Sequence, residues 1–214
     1  MHAAEFRRRL RQRRPVLYAI LDSGVCSDPL ADAAALIGAG VDCLQVRAKA
    51  LAAGELVRLV EQVVGLAGAA GVAVFVNDRV DIAALAGADG AHVGAADLPP
   101  AAARHFLGPD RILGVTVHGP GEVAAVPAEV DFLGVGAMFP TTTRAGAELW
   151  GVAGLTEAGS LTTLPLIAVG GITLDNLVEL QGAGLAGVAV ASALTPASLH
   201  PGAVAAFREA LDRW

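Results

Sequence analysis

Lysine is nearly missing from this chain. Of its 15 basic residues, 14 are arginine, and Lys49 is the single exception. A composition so biased marks Lys49 as a position where a planar guanidinium does not serve in place of a compact ammonium. Aromatic residues are scarce too, at 4%, although 54% of the chain is hydrophobic. Ala, Val, Leu and Gly make up the difference, a mixture that suits buried parallel strands packed closely under helices. No apolar run approaches the roughly 20 residues a membrane helix needs. The two cysteines, Cys26 and Cys43, are too few and too unpatterned for a disulfide framework or a zinc site, which points to a reducing, cytoplasmic compartment. The start of the chain, through Arg14, is basic, but no apolar segment of the signal-peptide kind follows it, and Asp22 interrupts the next apolar stretch. The stretch 1–15 therefore reads as a short basic helix resting on the base of the fold. Elsewhere the basic residues are scattered and the net charge is −6, so nucleic acid is not expected as a partner.

What the chain does have is alternation. Strand-like runs fall at 16–21, 41–46, 72–76, 90–93, 112–117, 132–135, 166–169 and 187–191. Helix-like stretches separate them at 29–37, 54–69, 80–86, 99–106, 120–125, 153–160, 174–183 and 202–211. Eight strands each followed by a helix define an α/β chain folded as a single (β/α)₈ TIM barrel over residues 1–214. Doubly wound sheets share the alternation but rarely use eight such units in so short a chain.

In such barrels the chemistry gathers at the C-terminal ends of the strands. Read in order, those ends carry Asp22, Gln45 to Lys49, Asn77-Asp78-Arg79, His92 to Asp97, Thr116-Val117-His118, Pro140 to Arg144, Gly170-Gly171-Ile172 and Ala191-Ser192-Ala193. Gly170-Gly171 and Ala191-Ser192 follow the seventh and eighth strands, where backbone N–H groups and a helix start face a phosphate. Asp78 and Asp97 follow adjacent strands and, with water and phosphate oxygens, suit Mg²⁺. Taken singly, each aspartate reads more simply: Asp78 as a helix cap or a partner of Arg79. Arg47 and Lys49 share one face of a strand with Gln45, since side chains two apart point the same way, and Arg144 joins their charge. A solvated rim is the simpler account of any one of these cations, but together they call for an anionic partner. Thr141 and Thr143 lie in a Pro-Thr-Thr-Thr loop that is also a turn signal. His92 reads as a packed or supporting histidine, and His118 as an acid–base group without an acidic neighbour in sequence. No activated serine or cysteine nucleophile is evident. Two phosphate-sized sites, one with metal and cations and one with backbone amides, describe a metal-assisted transferase that displaces pyrophosphate.

The elements Gln45-Val46-Arg47-Ala48-Lys49, Asn77-Asp78-Arg79-Val80-Asp81, Gly90-Ala91-His92-Val93-Gly94, Phe139-Pro140-Thr141-Thr142-Thr143 and Ala168-Val169-Gly170-Gly171-Ile172 resemble the thiamine phosphate synthase family, in order and over nearly the whole chain. The resemblance implies coupling of a hydroxymethylpyrimidine diphosphate to a thiazole phosphate, giving thiamine phosphate and pyrophosphate. It also implies that Gln45, Val46, Arg47, Ala48, Lys49, Asn77, Thr116 and Arg144 take the pyrimidine diphosphate, with Arg47, Lys49, Thr116 and Arg144 acting in catalysis. Thr141, Thr142, Thr143, Gly171, Ala191 and Ser192 would take the thiazole phosphate, and Asp78 and Asp97 would hold Mg²⁺. Three positions depart from the family pattern: Thr116 for the usual serine, Arg144 for lysine, and Ala95 for glutamine. A thiazole tautomerase using His118 and a non-catalytic thiazole-phosphate regulator are the other readings. The resemblance implies small-molecule substrates and leaves a homo-oligomer open; from their place in the barrel, the loops after strands one and six, with Gly24 and Gly146, are the candidate lids.

Overall fold

A computed structural model describes residues 2–12, 14–141, 149–200 and 202–214. Eight parallel strands close into a barrel in sequence order: β1 (Val16–Asp22), β2 (Cys43–Arg47), β3 (Ala73–Asn77), β4 (Gly90–Val93), β5 (Ile112–Val117), β6 (Phe132–Val135), β7 (Leu166–Val169) and β8 (Gly187–Val190). Among the described residues the helices are α1 (His2–Leu10), α2 (Pro29–Gly38), α3 (Ala53–Ala70), α4 (Val80–Leu85), α5 (Pro100–Leu107), α6 (Pro120–Ala124), α7 (Gly151–Leu161) and α8 (Ala203–Leu211). None is long and apolar enough to cross a membrane.

Period-two alternation divides each strand between two cores. Leu17, Ala19 and Leu21 of β1 face outward into the layer shared with the helices, where Leu44, Val46, Val74 and Val76 join them. Val16 and Tyr18 point into the barrel, among Cys43, Phe75, Ile112, Phe132 and Ile167. The few aromatics are concentrated here. The rings of Phe75 and Phe132 lie 6.0 Å apart, edge to face, and Tyr18 lies 5.4 Å from Phe75. Inward-facing glycines make the room: a Cβ on Gly114 would sit 2.3 Å from the Phe132 ring.

The bottom of the barrel is closed by the basic N-terminal helix. From α1, Phe6 and Leu10 are 2% and 4% exposed and complete the inner core, with Phe6 5.1 Å from Phe75. Its arginines meet two aspartates under the strands: Arg7 Nε donates to Asp131 at 2.8 Å and Arg9 Nη1 to Asp42 at 2.7 Å. Those aspartates belong to a repeated device. Asp42, Asp89 and Asp131 precede β2, β4 and β6, and each carboxylate accepts the N–H of the second residue of the preceding strand or its near equivalent. Leu17, Val74 and Leu113 donate to them at 2.7, 2.9 and 2.8 Å. The fourth such position is Ala186, before β8, and it has no side chain to repeat the bond.

One expected element differs. The stretch 174–183 reads as a helix in sequence but forms only a 3₁₀ turn, Leu177–Leu180. Asn176 diverts the chain: its Oδ1 accepts from Thr173 N and its Nδ2 donates to Gly171 O, both at 2.9 Å. Gly182 and Gly184 then turn with φ of 81° and 70°, outside helical geometry. β2 also begins two residues later than its apolar run, because Val41 and Asp42 serve the loop beneath it.

Candidate active site

The C-terminal ends of the strands surround a cavity of about 360 Å³. Gln45, Arg47, Lys49, Asn77, Asp78, Asp97 and Thr116 line one part of it, and Thr141, Gly171, Ala191 and Ser192 another. These expected site residues are therefore brought together. Val46 and Ala48 are not: as alternation requires, both side chains are buried in the outer layer against the helices. Thr142, Thr143, Arg144 and Gly146 lie outside the described residues.

On the β2–β4 side, two acids face two bases. Asp78 follows β3 with φ 63°, a left-handed conformation uncommon outside glycine, and its N–H is held by His92 O at 2.9 Å. Neither simpler account of Asp78 applies. Arg79 stands at the start of α4 with no side-chain cap, and Arg79 pairs with Asp81 at 2.6 Å instead. Asp78 meets Asp97, and Lys49 Nζ lies 3.2 Å from its Oδ2. Burial, then the neighbouring Asp97, push the Asp78 carboxyl above its ordinary range, while Lys49 opposes them. Asp97 is fixed in turn by Gly94 N, which donates to its Oδ2 at 2.8 Å. Two hard oxygen donors this close, with burial and the neighbouring Asp97 raising the Asp78 pKa, are a donor set that would suit a divalent cation. Among the described residues no cluster of three or more potential metal ligands occurs.

The opposite side is built from backbone. Gly171 has φ 66°, and a Cβ there would lie 2.4 Å from Pro140 O and 2.6 Å from Phe139 O. Glycine is therefore required for the loop after β7 to lie against the loop after β6. Phe139 N donates to Gly170 O at 3.0 Å, which joins the two.

Sequence reasoning passed over the cavity floor. Tyr18, Ile20, Phe132, Ile167, Val169 and Ala189 line it, but inward-facing apolar residues cannot be told from core by pattern. Tyr18 is buried, burial raises its phenol well above its usual range, and its oxygen accepts from Gln45 Nε2 at 2.9 Å. His92 is the supporting histidine expected: its Nε2 lies 2.7 Å from Thr116 Oγ1. Burial lowers its pKa to about 4, so it is neutral at pH 7. His118 lines the cavity and, contrary to expectation, has an acidic partner. Its Nδ1 lies 3.3 Å from Glu122 Oε2, which also accepts from His118 N at 2.8 Å. The partner was four residues away, across the first turn of α6. Ala95 is part of the cavity wall.

Fold and mouth together define a (β/α)₈ barrel whose strand ends carry a carboxylate pair, a cation pair and a glycine-built loop. The family model for thiamine monophosphate synthase matches residues 17–194. A thiamine-phosphate synthase of Laribacter hongkongensis is 38% identical over 194 residues, covering 88% of this chain and 90% of the relative. One of Anaeromyxobacter dehalogenans is 39% identical over 204 residues, covering 94% and 90%. Among solved structures, a thiamine phosphate pyrophosphorylase from Pyrococcus furiosus superposes with a TM-score of 0.86 at 28% identity, covering 95% of this chain and 98% of that one. The chain belongs to the thiamine monophosphate synthase family, transferases of thiamine biosynthesis.

Proposed function

We propose that the β2–β5 side of the cavity binds the pyrimidine diphosphate, the β6–β8 side binds the thiazole phosphate, and the ring nitrogen of the second displaces pyrophosphate from the first. The observation that carries this reading is the division of one cavity into a charged half, with Arg47, Lys49, Asp78 and Asp97, and a neutral half, with Thr141, Gly171, Ala191 and Ser192. Thr142, Thr143 and Arg144, next along the chain from Thr141, are assigned by resemblance, Arg144 to the pyrophosphate.

Asp78 and Asp97 would hold Mg²⁺, which when bound neutralises charge on the diphosphate oxygens. Arg47 and Lys49 stabilise the departing pyrophosphate as the carbon–oxygen bond breaks. The pyrimidinylmethyl carbon becomes electron-poor as the bond lengthens, and the apolar floor of Ile20, Phe132 and Ile167 keeps water from it. The thiazole nitrogen then supplies its lone pair to the new carbon–nitrogen bond. No proton has to move in that step, in keeping with a neutral, buried His92 that serves as a support for Thr116. Holding two ligands in line matters more here than a general base. Cys26 and Cys43, both free thiols, suit a reducing compartment, and we place the activity in the cytoplasm.

The test is pyrophosphate release on mixing both substrates with Mg²⁺. Release is expected to need both substrates and to fall sharply when EDTA removes the metal. Isomerisation of thiazole phosphate without pyrophosphate would favour the tautomerase reading, and binding without turnover a regulator.

A further inference from the structure

Asp22 ends β1, and no role in the chemistry above uses it. It stands opposite Arg47 in the β1–β2 register. Its two oxygens are divided between two donors: Oδ1 accepts from Gly24 N at 3.0 Å, and Oδ2 accepts from Arg47 Nη1. The backbone repeats the link, since Ser23 N donates to Arg47 O at 2.9 Å. Arg47 lines the cavity and Asp22 does not. The carboxylate thus meets the guanidinium from the neighbouring strand. Among the described residues Arg47 makes no other side-chain hydrogen bond.

The two cations of the mouth are held differently. Lys49 is 61% exposed, and its partner Asp78 faces the cavity. The Arg47–Asp22 pair is 23% and 16% exposed, and its acid comes from the neighbouring strand. We infer that Asp22 is a positioning residue for the diphosphate substrate, holding the Arg47 fork aimed into the mouth and tying it to the turn after β1. This rests on the assignment of the diphosphate to Arg47. A long arginine side chain gives up rotamer freedom when it clamps an anion, and a carboxylate bonded to it exacts that loss during folding instead of on binding. The guanidinium carries five N–H donors, so one bond to Asp22 leaves the rest of the fork for phosphate oxygens. Against this stands the negative charge of Asp22 itself, which opposes an incoming diphosphate. The paired unit is neutral, however, and the remaining N–H donors of the guanidinium stay open to the anion.

Asp22→Asn separates these roles, because the amide oxygen still accepts from Gly24 N while the charge that holds Arg47 is gone. In the full-length protein with Mg²⁺ and both substrates, KM for the pyrimidine diphosphate should rise about tenfold. KM for the thiazole phosphate and the thermal midpoint should stay near wild type. Arg47→Ala should show the larger KM defect, and the Asp22→Asn/Arg47→Ala double variant should be no worse than Arg47→Ala alone. The Kd for inorganic pyrophosphate with Mg²⁺ should follow the same pattern. An unchanged or lowered KM for the diphosphate in Asp22→Asn overturns the inference, as does an equal rise in both KM values. A full tenfold loss added to that of Arg47→Ala would also overturn it, since Asp22 would then act by another route. If Arg47→Ala alone has no effect, the diphosphate does not sit on Arg47, and the underlying assignment goes with the inference.

Discussion

At the scale of single residues, Lys49 presents the sharpest contrast between what it does at rest and what the reaction asks of it. The ammonium, 3.2 Å from Asp78, is 61% exposed, and an ion pair so open on the side of its cation adds little stability. Its effect grows as negative charge builds on the leaving pyrophosphate, so the loss on substitution belongs in kcat more than in KM. Lys49→Ala is expected to lower kcat by on the order of 10²–10³, and Lys49→Arg by measurably less, since charge survives but shape does not. Steady-state rates of pyrophosphate release check this, and an unchanged kcat in the alanine variant returns Lys49 to the rim. The alignment of Gln45, Arg47 and Lys49 was legible from sequence because a strand has one simple period. The pairing of Asp22 with Arg47 was not, because it spans 25 residues and depends on register between strands. Val46 and Ala48 fall between site residues in sequence yet face the opposite way, which the same period foretells.

At the scale of elements, the alternation of strands and helices was visible throughout, since buried parallel strands and amphipathic helices leave distinct periods. The helix expected at 174–183 failed because a side-chain turn at Asn176 outcompetes one marginal helical segment. The aspartate clamps under the strands were hidden for another reason. Gly40-Val41-Asp42, Gly87-Ala88-Asp89 and Glu129-Val130-Asp131 recur in the sequence, but an acid before a strand reads as an ordinary loop residue. Their partners differ, and so should their contributions. Asp131 holds Arg7 of α1, Arg104 of α5 and Leu113 N, whereas Asp89 accepts from Val74 N. Asp131→Ala removes the carboxylate from two partly buried guanidinium groups, which keep only their backbone carbonyl partners, leaves one N–H unpaired, and should cost about 3 kcal/mol. Asp89→Ala leaves one N–H unpaired and should cost about 1 kcal/mol. Urea unfolding of the two variants tests the order, and equal losses would mean that the carbonyls already bonded to Arg7 and Arg104 suffice to hold them.

At the scale of the whole molecule, the barrel contains a continuous column of side chains from its base to its mouth. Phe6 of α1 touches Phe75 and Phe132, Phe132 lies 5.4 Å from His92, and His92 reaches Thr116 at the cavity. The His92 ring keeps a narrow surface toward the cavity but is otherwise enclosed, and its Nδ1 has no hydrogen-bond partner among the described residues. Protonation would place a charge in this apolar column, so burial lowers the pKa from 6.5 to about 4. The same term links pH to the stability of the entire fold. In the unfolded chain His92 takes up a proton near pH 6.5; in the folded chain it resists until about pH 4. Between those values the unfolded state binds more protons, so stability falls as pH falls, and above 6.5 this contribution is fully present. The difference of roughly 2.5 units amounts to at most about 3 kcal/mol, and the wet cavity side of the ring reduces it. Carboxylates titrate over part of the same range, so the measurement has to be a difference. Urea unfolding of the metal-free protein and of His92→Asn, from pH 7.5 down to 4.5, should give a shallower loss in the variant, which has no ring to protonate. Parallel curves would mean that the ring accepts its proton in the folded barrel, and that the column is not as dry as its packing implies.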